Sequence, residues 1–424
     1  MVITETGEAA VRAKLPEGWT KSTLGDVCVK TSKVNPKDEP KKEITYLDIG
    51  GIDNEALKIA ETKTYTGTDA PSRARQLVKE GDVLFSTVRT YLKKIAQVPA
   101  KYDGGVASTG FTVLRGGEAL DPKYLFYYVT QDAFIRPLSK IQRGTSYPAV
   151  RDSDVFEQLI AVPPLPEQRR IVARIEELFS RLDAGVDALR HAKAQLLRYR
   201  QSVLAAAVTG QLSRCENNKW RVMRLEDLVT IKSGNGFPKH FQGKTSGDYP
   251  FYKVGDISAN WQEGRTALIS ANNYLDEIEV RKIRGTLLPA NTTVFAKIGA
   301  AVALNRRGLL TTRSLVDNNV MGLIPGSDIV PKYLFWFMCQ IDLGAKTRGG
   351  AVPSLRKGDL EEIEINLPPL AEQHQIVAEV EARTTAIDHL EAELDRQITR
   401  SIRLRQSTLA SAFTGKLTRS SGPN

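Results

Sequence analysis

The chain has 424 residues, of which 41% are hydrophobic and 25% charged, with a formal net charge of +10 and a pI near 9.3. That composition excludes a disordered or fibrous chain and leaves room for roughly two to four domains. No run approaches the ~18 apolar residues of a membrane span, the opening MVITETGEAAVRAK lacks an apolar core of signal-peptide length, and the positive charge suits a polyanion such as nucleic acid.

Residues 1–13 read as a tail and 14–162 as a first globular domain. Short β-branched runs punctuated by glycine predict strands there, and PKYLFYYVTQ predicts a short helix, so the domain is mixed α/β and rich in sheet. Residues 163–213 follow as one long helix. Ile175, Leu182, Leu189, Leu196 and Val203 recur every seven residues, with Ile171, Leu178, Gly185, Ala192 and Tyr199 at the offset positions. Pro166 suits a first helical turn, Glu167 faces the positive end of the helix dipole, and Gly210 is placed to stop the helix. About 45 helical residues make a rod of roughly 65 Å, which needs a partner of similar length.

Residues 214–366 form a second domain that shares anchors with the first. Trp19 answers to Trp220, Ile49-Gly50-Gly51-Ile52 to Val254-Gly255-Asp256-Ile257, and Val83-Leu84-Phe85 to Thr293-Val294-Phe295. Pro122–Phe126 recurs unchanged as Pro331–Phe335, and Pro148, Arg151 and Asp154 recur as Pro353, Arg356 and Asp359. Residues 367–418 repeat the helix, and 419–424 are a second tail. The segments 163–212 and 368–417 align without a gap, with about 21 of 50 positions identical.

In the second helix Ile376, Val380, Ile387, Leu390 and Leu394, then Ile398 and Ile402, then Leu409 are the apolar series, with a stutter expected through 398 and 402. Its start is acidic (Glu379, Glu381, Asp388, Glu391, Glu393, Asp395). The end of the first helix is basic (Arg190, Lys193, Arg198, Arg200). Opposite charges meet only if the two helices run antiparallel, which predicts a coiled coil with pseudo-twofold symmetry.

Between the shared anchors the domains diverge. FSTVRTYLKKIAQV and IQRGTSYPAVR in the first, and KSGNGFPKHFQGK, FAKIGAAVALNRRG and KTRGGAVPSLR in the second, mix cations with glycine, hydroxyls and aromatics. Such loops suit phosphate and base contacts.

Catalytic signatures are near misses. Gly243-Lys244-Thr245 resembles the end of a phosphate loop, but Pro238 stands where its first glycine belongs. Asn366-Leu367-Pro368-Pro369 has the wrong order for an amino-methyltransferase site. His191, His240, His374 and His389 lack nucleophile or metal partners in sequence, and Cys28, Cys215 and Cys339 are far apart. No catalytic residue and no metal ligand is expected, and the cysteine usage fits a reducing cytoplasm.

The openings PPLPEQRRIVARI and PPLAEQHQIVAEV, with the closings RYRQSVLAAAVTGQL and RLRQSTLASAFTGKL, resemble the specificity subunit of type I restriction-modification systems across essentially the whole chain. The resemblance implies two target-recognition domains separated by two helices in an antiparallel coiled coil, each domain reading half of an asymmetric bipartite DNA site. It implies docking of two modification subunits and, through them, restriction subunits. S-adenosylmethionine, ATP and Mg would belong to those partners, with no cofactor on this chain. Within this frame the candidate DNA contacts are Arg89, Tyr91, Lys93, Lys94, Arg143, Thr145 and Tyr147 in the first domain, and Lys232, Asn235, Lys239, Lys297, Lys346 and Arg348 in the second. Ile171, Ile175, Leu178, Leu182, Leu189, Leu196 and Val203 would meet Ile376, Val380, Ile387, Leu390, Leu394 and Leu409 in the helical interface. Two other readings share these features: the DNA-recognition subunit of an orphan methyltransferase or other phage-defence complex, and a coiled-coil organiser without DNA binding.

Overall fold

The computed structural model describes residues 15–212, 220–347 and 352–418. The chain divides into two compact units, one ending at Arg190 and resuming at Asp395, the other spanning His191–Leu394. Both boundaries fall inside long helices, Leu165–Val208 and Leu370–Phe413, so each unit holds the start of one helix and the end of the other.

In the first unit, Thr20–Thr23 pairs antiparallel with Leu159–Val162, the strand that feeds the first long helix. A four-stranded antiparallel sheet runs in the order Cys28–Val29, Phe111–Gly116, Val83–Ser86, Ile95–Gln97. A second sheet orders Lys63–Thr66, Glu43–Leu47, Val106–Ser108 and Ala74–Leu77, with its central pair parallel. Along the strand Val83–Ser86, Val83 and Phe85 face the core shared with the helices while Leu84 faces a second core beside Leu47 and Val78. The period-two alternation of a strand thus feeds two apolar cores, which is why its sequence is apolar throughout.

The second unit repeats the plan. Arg221–Arg224 pairs with Glu364–Leu367, and the main sheet orders Val229–Ser233, Val320–Pro325, Thr293–Ala296, Arg307–Leu310 and Ala267–Leu268. Tyr274–Leu275, Tyr249–Tyr252 and Leu315–Val316 form the smaller sheet, again with a parallel pair. The units part where the stretches Ile49–Ile52 and Val254–Ile257 suggested equivalence. Ile49–Gly51 is a single 3-10 turn before the hairpin Ile52–Asp53/Lys58–Ile59, whereas Val254–Gln262 is a helix, started by the Asp256 carboxylate accepting from the Lys253 N–H at 2.7 Å.

The predicted short helices form at Pro122–Thr130 and Pro331–Gln340, each with proline in the first turn. In the first unit Tyr124 and Tyr128 pack edge-on against Phe413 at 5.1 and 5.0 Å, together with Leu409 and Ala412 from the end of the second helix and Ile171, Val172 and Ile175 from the start of the first. In the second unit the end of the first helix (Val203, Ala207) meets the start of the second (Ile376, Val377, Val380) around Tyr333. Within each unit the helices therefore run antiparallel, as their charges predict.

The charges that set this orientation form the same pair in each unit. Arg405 donates to Asp183 at 3.0 Å in the first, and Arg200 donates to Asp388, and to Glu391 at 3.4 Å, in the second. Arg200 and Arg405 are equivalent in the repeat, as are Asp183 and Asp388. Half-exposed pairs of this kind contribute about 0.2–1 kcal/mol, so they select the orientation more than they hold it. Arg200→Glu is expected to destabilise the second unit by roughly 1 kcal/mol in a urea melt, and adding Asp388→Arg should restore most of the loss. A double variant no more stable than the single one would place these charges outside the pairing.

The helical seam corrects the apolar reading. Ile376, Val380, Thr384 and Ile387 are buried, then half-buried Glu391, Leu394, Ile398, Ser401 and Arg405 lead to buried Leu409. Through 394, 398, 401 and 405 the steps alternate four, three, four, so the stutter expected at 398 and 402 is absent there; consecutive steps of four fall instead at 376–380–384 and 401–405–409. Leu390 and Ile402 are 53% and 62% exposed and lie outside the seam. Glu391 and Arg405 take inward places because each reaches an opposite charge on the facing helix. In the first helix Ile171, Ile175 and Val203 are buried and Leu178, Leu182, Leu189 and Leu196 half-buried, but Tyr199 is exposed and Arg200 takes its place.

The repeated Glu-Gln at each helix start has a structural cause that the sequence reading missed. Gln168 is fully buried; its side-chain oxygen accepts from Asp121 N–H at 2.8 Å, and its amide donates to the carbonyls of Ala119 (2.9 Å) and Pro163 (2.8 Å). Gln373 makes the same three bonds, to Val330 N–H (2.7 Å) and the carbonyls of Asp328 (3.0 Å) and Pro368 (2.9 Å). At the other end, Gly210 and Gly415 stop the helices with φ of 79° and 73°. A Cβ on Gly415 would also stand 2.3 Å from Pro16 Cγ.

Candidate nucleic-acid interface

In the first unit the chain leaving strand Val83–Ser86 is crossed by the segment 143–150. Val150 N–H donates to Thr87 O at 3.0 Å and Arg89 N–H to Pro148 O at 2.8 Å. Arg143 and Ala149 exchange both main-chain bonds, at 2.8 and 2.9 Å, closing residues 144–148 into a loop. The second unit repeats this root: Leu355 N–H donates to Lys297 O and Gly299 N–H to Pro353 O, both at 2.8 Å. Residues 87–89 with 148–150 in the first unit, and 297–299 with 353–355 in the second, therefore meet in the same way; residues 348–351 lie outside the described residues.

Many of the cations in these loops are engaged by the fold itself. Arg143 forms a forked pair with Asp154 at 2.6 and 3.3 Å, and this holds the Asp154 carboxyl below its ordinary range. Lys93 pairs with Asp132 at 2.6 Å, and Lys94 donates to Ile52 O. Arg89 donates to Ser146 O at 2.9 Å and lies 5.0 Å over the ring of Tyr147. Arg89 and Lys93 flank a 3-10 turn with left-handed φ of 48° and 52°. The side chains that point outward are Tyr91, 53% exposed, Thr145, and Tyr147, 73% exposed.

In the second unit Lys232 and Lys239 are exposed. Asn235 instead pins its loop: its side-chain oxygen accepts from Thr286 N–H at 2.7 Å and its amide donates to Arg284 O at 3.3 Å. Lys297 donates to Ser233 Oγ at 3.0 Å, which brings it to the same loop. Lys346 is exposed on a separate turn, and Arg348 lies outside the described residues. Phe237 of the glycine-rich loop stacks on buried Phe251 at 3.9 Å, and the Lys253 ammonium lies 5.0 Å from the centre of the Phe237 ring.

Two other residues of the basic stretches are structural. Arg307 is 1% exposed and donates to the carbonyls of Asn305 and Ile341. Lys244, the lysine of the phosphate-loop near miss, is bound by Asp276 (3.1 Å) and Glu279 (2.8 Å), which hold its pKa up. Burial pushes the thiols of Cys28 and Cys339 up to about 12, so both stay protonated; Cys215 lies outside the described residues. Among the described residues no group of His, Cys, Asp and Glu could hold a metal ion, and no helix is long and apolar enough to cross a membrane.

The family model of the type I restriction modification DNA specificity domain matches residues 16–189 and again 217–400, and the chain belongs to that family. It is 24% identical to the type I restriction enzyme StySPI specificity subunit of Salmonella potsdam, over 96% of this chain and 91% of the relative. It is 22% identical to the EcoKI specificity subunit of Escherichia coli K12, over 96% and 90%. Among solved structures, a chain from a study of complex assembly and conformational transition of the type I R-M system superposes with a TM-score of 0.81 at 29% identity, covering 95% of this chain and all of that one. The HsdS subunit of Thermoanaerobacter tengcongensis gives a TM-score of 0.61 at 29% identity, over 95% and 98%. The chain is a type I specificity subunit and is not itself an enzyme.

Proposed function

We propose that this chain reads an asymmetric, interrupted DNA target, one half per domain, and scaffolds two copies of a modification subunit, with restriction subunits joining through them. The observation that carries the DNA reading is that two loops of different sequence are rooted by the same main-chain bonds in the two units. Equal roots put the residues next to Pro148 and Pro353 at matching points, and unequal side chains there read unequal bases. The exposed lysines 232 and 239 are suited to phosphate contact. S-adenosylmethionine, ATP and Mg would act on the partner subunits, with none held by this chain.

The docking reading rests on a second duplication. Leu197 and Tyr199 near the end of the first helix are 53% and 48% exposed, and their repeat equivalents Ile402 and Leu404 are 62% and 44% exposed. Leu197 and Ile402, at the same helical position in each unit, offer two copies of one partner the same exposed apolar contact, while Tyr199 and Leu404 point to another side of their helices. Leu197→Glu is expected to weaken one docking event at least tenfold, leaving a complex with one modification subunit, and Leu197→Glu with Ile402→Glu should leave none. Mass measurement of the purified complexes decides it. Two modification subunits bound to the double variant would move docking elsewhere.

A further inference from the structure

We infer that the residue before the shared proline, Tyr147 in the first unit and Val352 in the second, is a specificity-determining contact to the bases of its half-site, and that Arg89 is the positioning residue for Tyr147. This rests on the reading of both units as DNA readers.

Tyr147 is 73% exposed and Val352 58% exposed. Apolar packing at this root is done by Val150 and Leu355, which are buried, so the fold itself does not call for a large apolar side chain one residue before the proline. The same exposed apolar position nevertheless occurs in both units, after Arg143-Gly-Thr-Ser in the first and Arg348-Gly-Gly-Ala in the second, where no other large apolar residue stands.

The first-unit loop is braced at its ends, flank and base. Its ends are closed by the two Arg143–Ala149 bonds, its flank by the Arg143–Asp154 fork, and its base by the Arg89–Pro148 bond. Arg89 then fixes the tip: its guanidinium holds Ser146 O and covers one face of the Tyr147 ring. The backbone at this point is left-handed in both units. Gly299, the equivalent residue, has φ of 83° and makes the same bond to Pro353. Glycine adopts that conformation freely, whereas an arginine there is strained. The strained residue is thus the one whose side chain clamps the tip. Val352 is β-branched and stiff at its first torsion, so it needs no clamp.

A tyrosine held on one face has its other face and its hydroxyl free. It can lie against a thymine methyl or press on an opened base step, and a valine can meet a thymine methyl. The modification complex, reconstituted with this chain and its modification subunit, should be assayed by sequencing methylated products from a target library randomised in each half-site. Tyr147→Ala should lower discrimination roughly tenfold at one or two positions of a single half-site, leaving the other half and the spacer unchanged; Val352→Ala should do so in the opposite half. Arg89→Gly should affect the same positions as Tyr147→Ala, and the double variant should be no worse than Tyr147→Ala alone. Unchanged preferences in both alanine variants, with a wild type that still reads two halves, would overturn the inference while leaving the proposed function standing. Failure of Tyr147→Ala to assemble with the modification subunit would also overturn it, by making the tip a protein contact. A wild type that reads no bipartite target would remove the function itself.

Discussion

Replacing Gln373 with alanine is expected to destabilise the second unit by about 3 kcal/mol, and Gln168→Ala to act on the first unit somewhat less. Each substitution removes the bonds that the glutamine makes to one main-chain N–H and two carbonyls. An unsatisfied buried group costs roughly 1–3 kcal/mol, and carbonyls tolerate the loss better than N–H groups. The Val330 N–H bond is buried whereas that of Asp121 is only partly so, which ranks the two. Hydrogen exchange of the strands in each unit separates the effects: Gln373→Ala should speed exchange at Thr293–Ala296 and leave Val83–Ser86 unchanged. A loss below about 1 kcal/mol in either variant would mean that another group, such as water, replaces the staple.

Adding seven residues to both helices at facing positions should lengthen the DNA spacer and leave the bases read unchanged. Asp183 opposite Arg405 and Arg200 opposite Asp388 fix which levels face each other, so insertions after Ala192 and after Arg396 preserve the seam. They fall beside the unit boundaries, away from both apolar cores. Seven helical residues add roughly 10 Å, or about three base pairs of spacer. Methylation of the original target should fall at least a thousandfold, because only one half-site can then be engaged specifically. A lengthened protein that still methylates the original target would show that the helices do not set the separation.

The duplication, the fold class and the antiparallel helices were legible in the sequence because each rests on a signal that repeats. The residue-level roles were less so, and for identifiable reasons. Leu390 reads as a seam residue when the seam is assumed apolar, but Glu391 satisfies its charge on Arg200 and takes the place. Arg143 and Lys93 read as free cations because Asp154 and Asp132 are distant in sequence and meet them only in the fold. Arg307 lies in a basic stretch yet is core, its charge capped by two carbonyls. Gln168 and Gln373 left a signal that could have been used: an identical Glu-Gln survives at the same place in both copies, where a first helical turn alone has no need of it. Of the two exposed residues before Pro148 and Pro353, Tyr147 was legible as a candidate contact from its basic, glycine-containing stretch, whereas Val352 stands out only once its exposure is known.

The measurement that bears most directly on the account is the sequencing of methylated bases in DNA from cells expressing this chain with its modification subunit. One motif made of two different half-sites separated by a fixed run of unspecified bases is expected. A single contiguous motif, two identical half-sites, or methylation without any motif would contradict it.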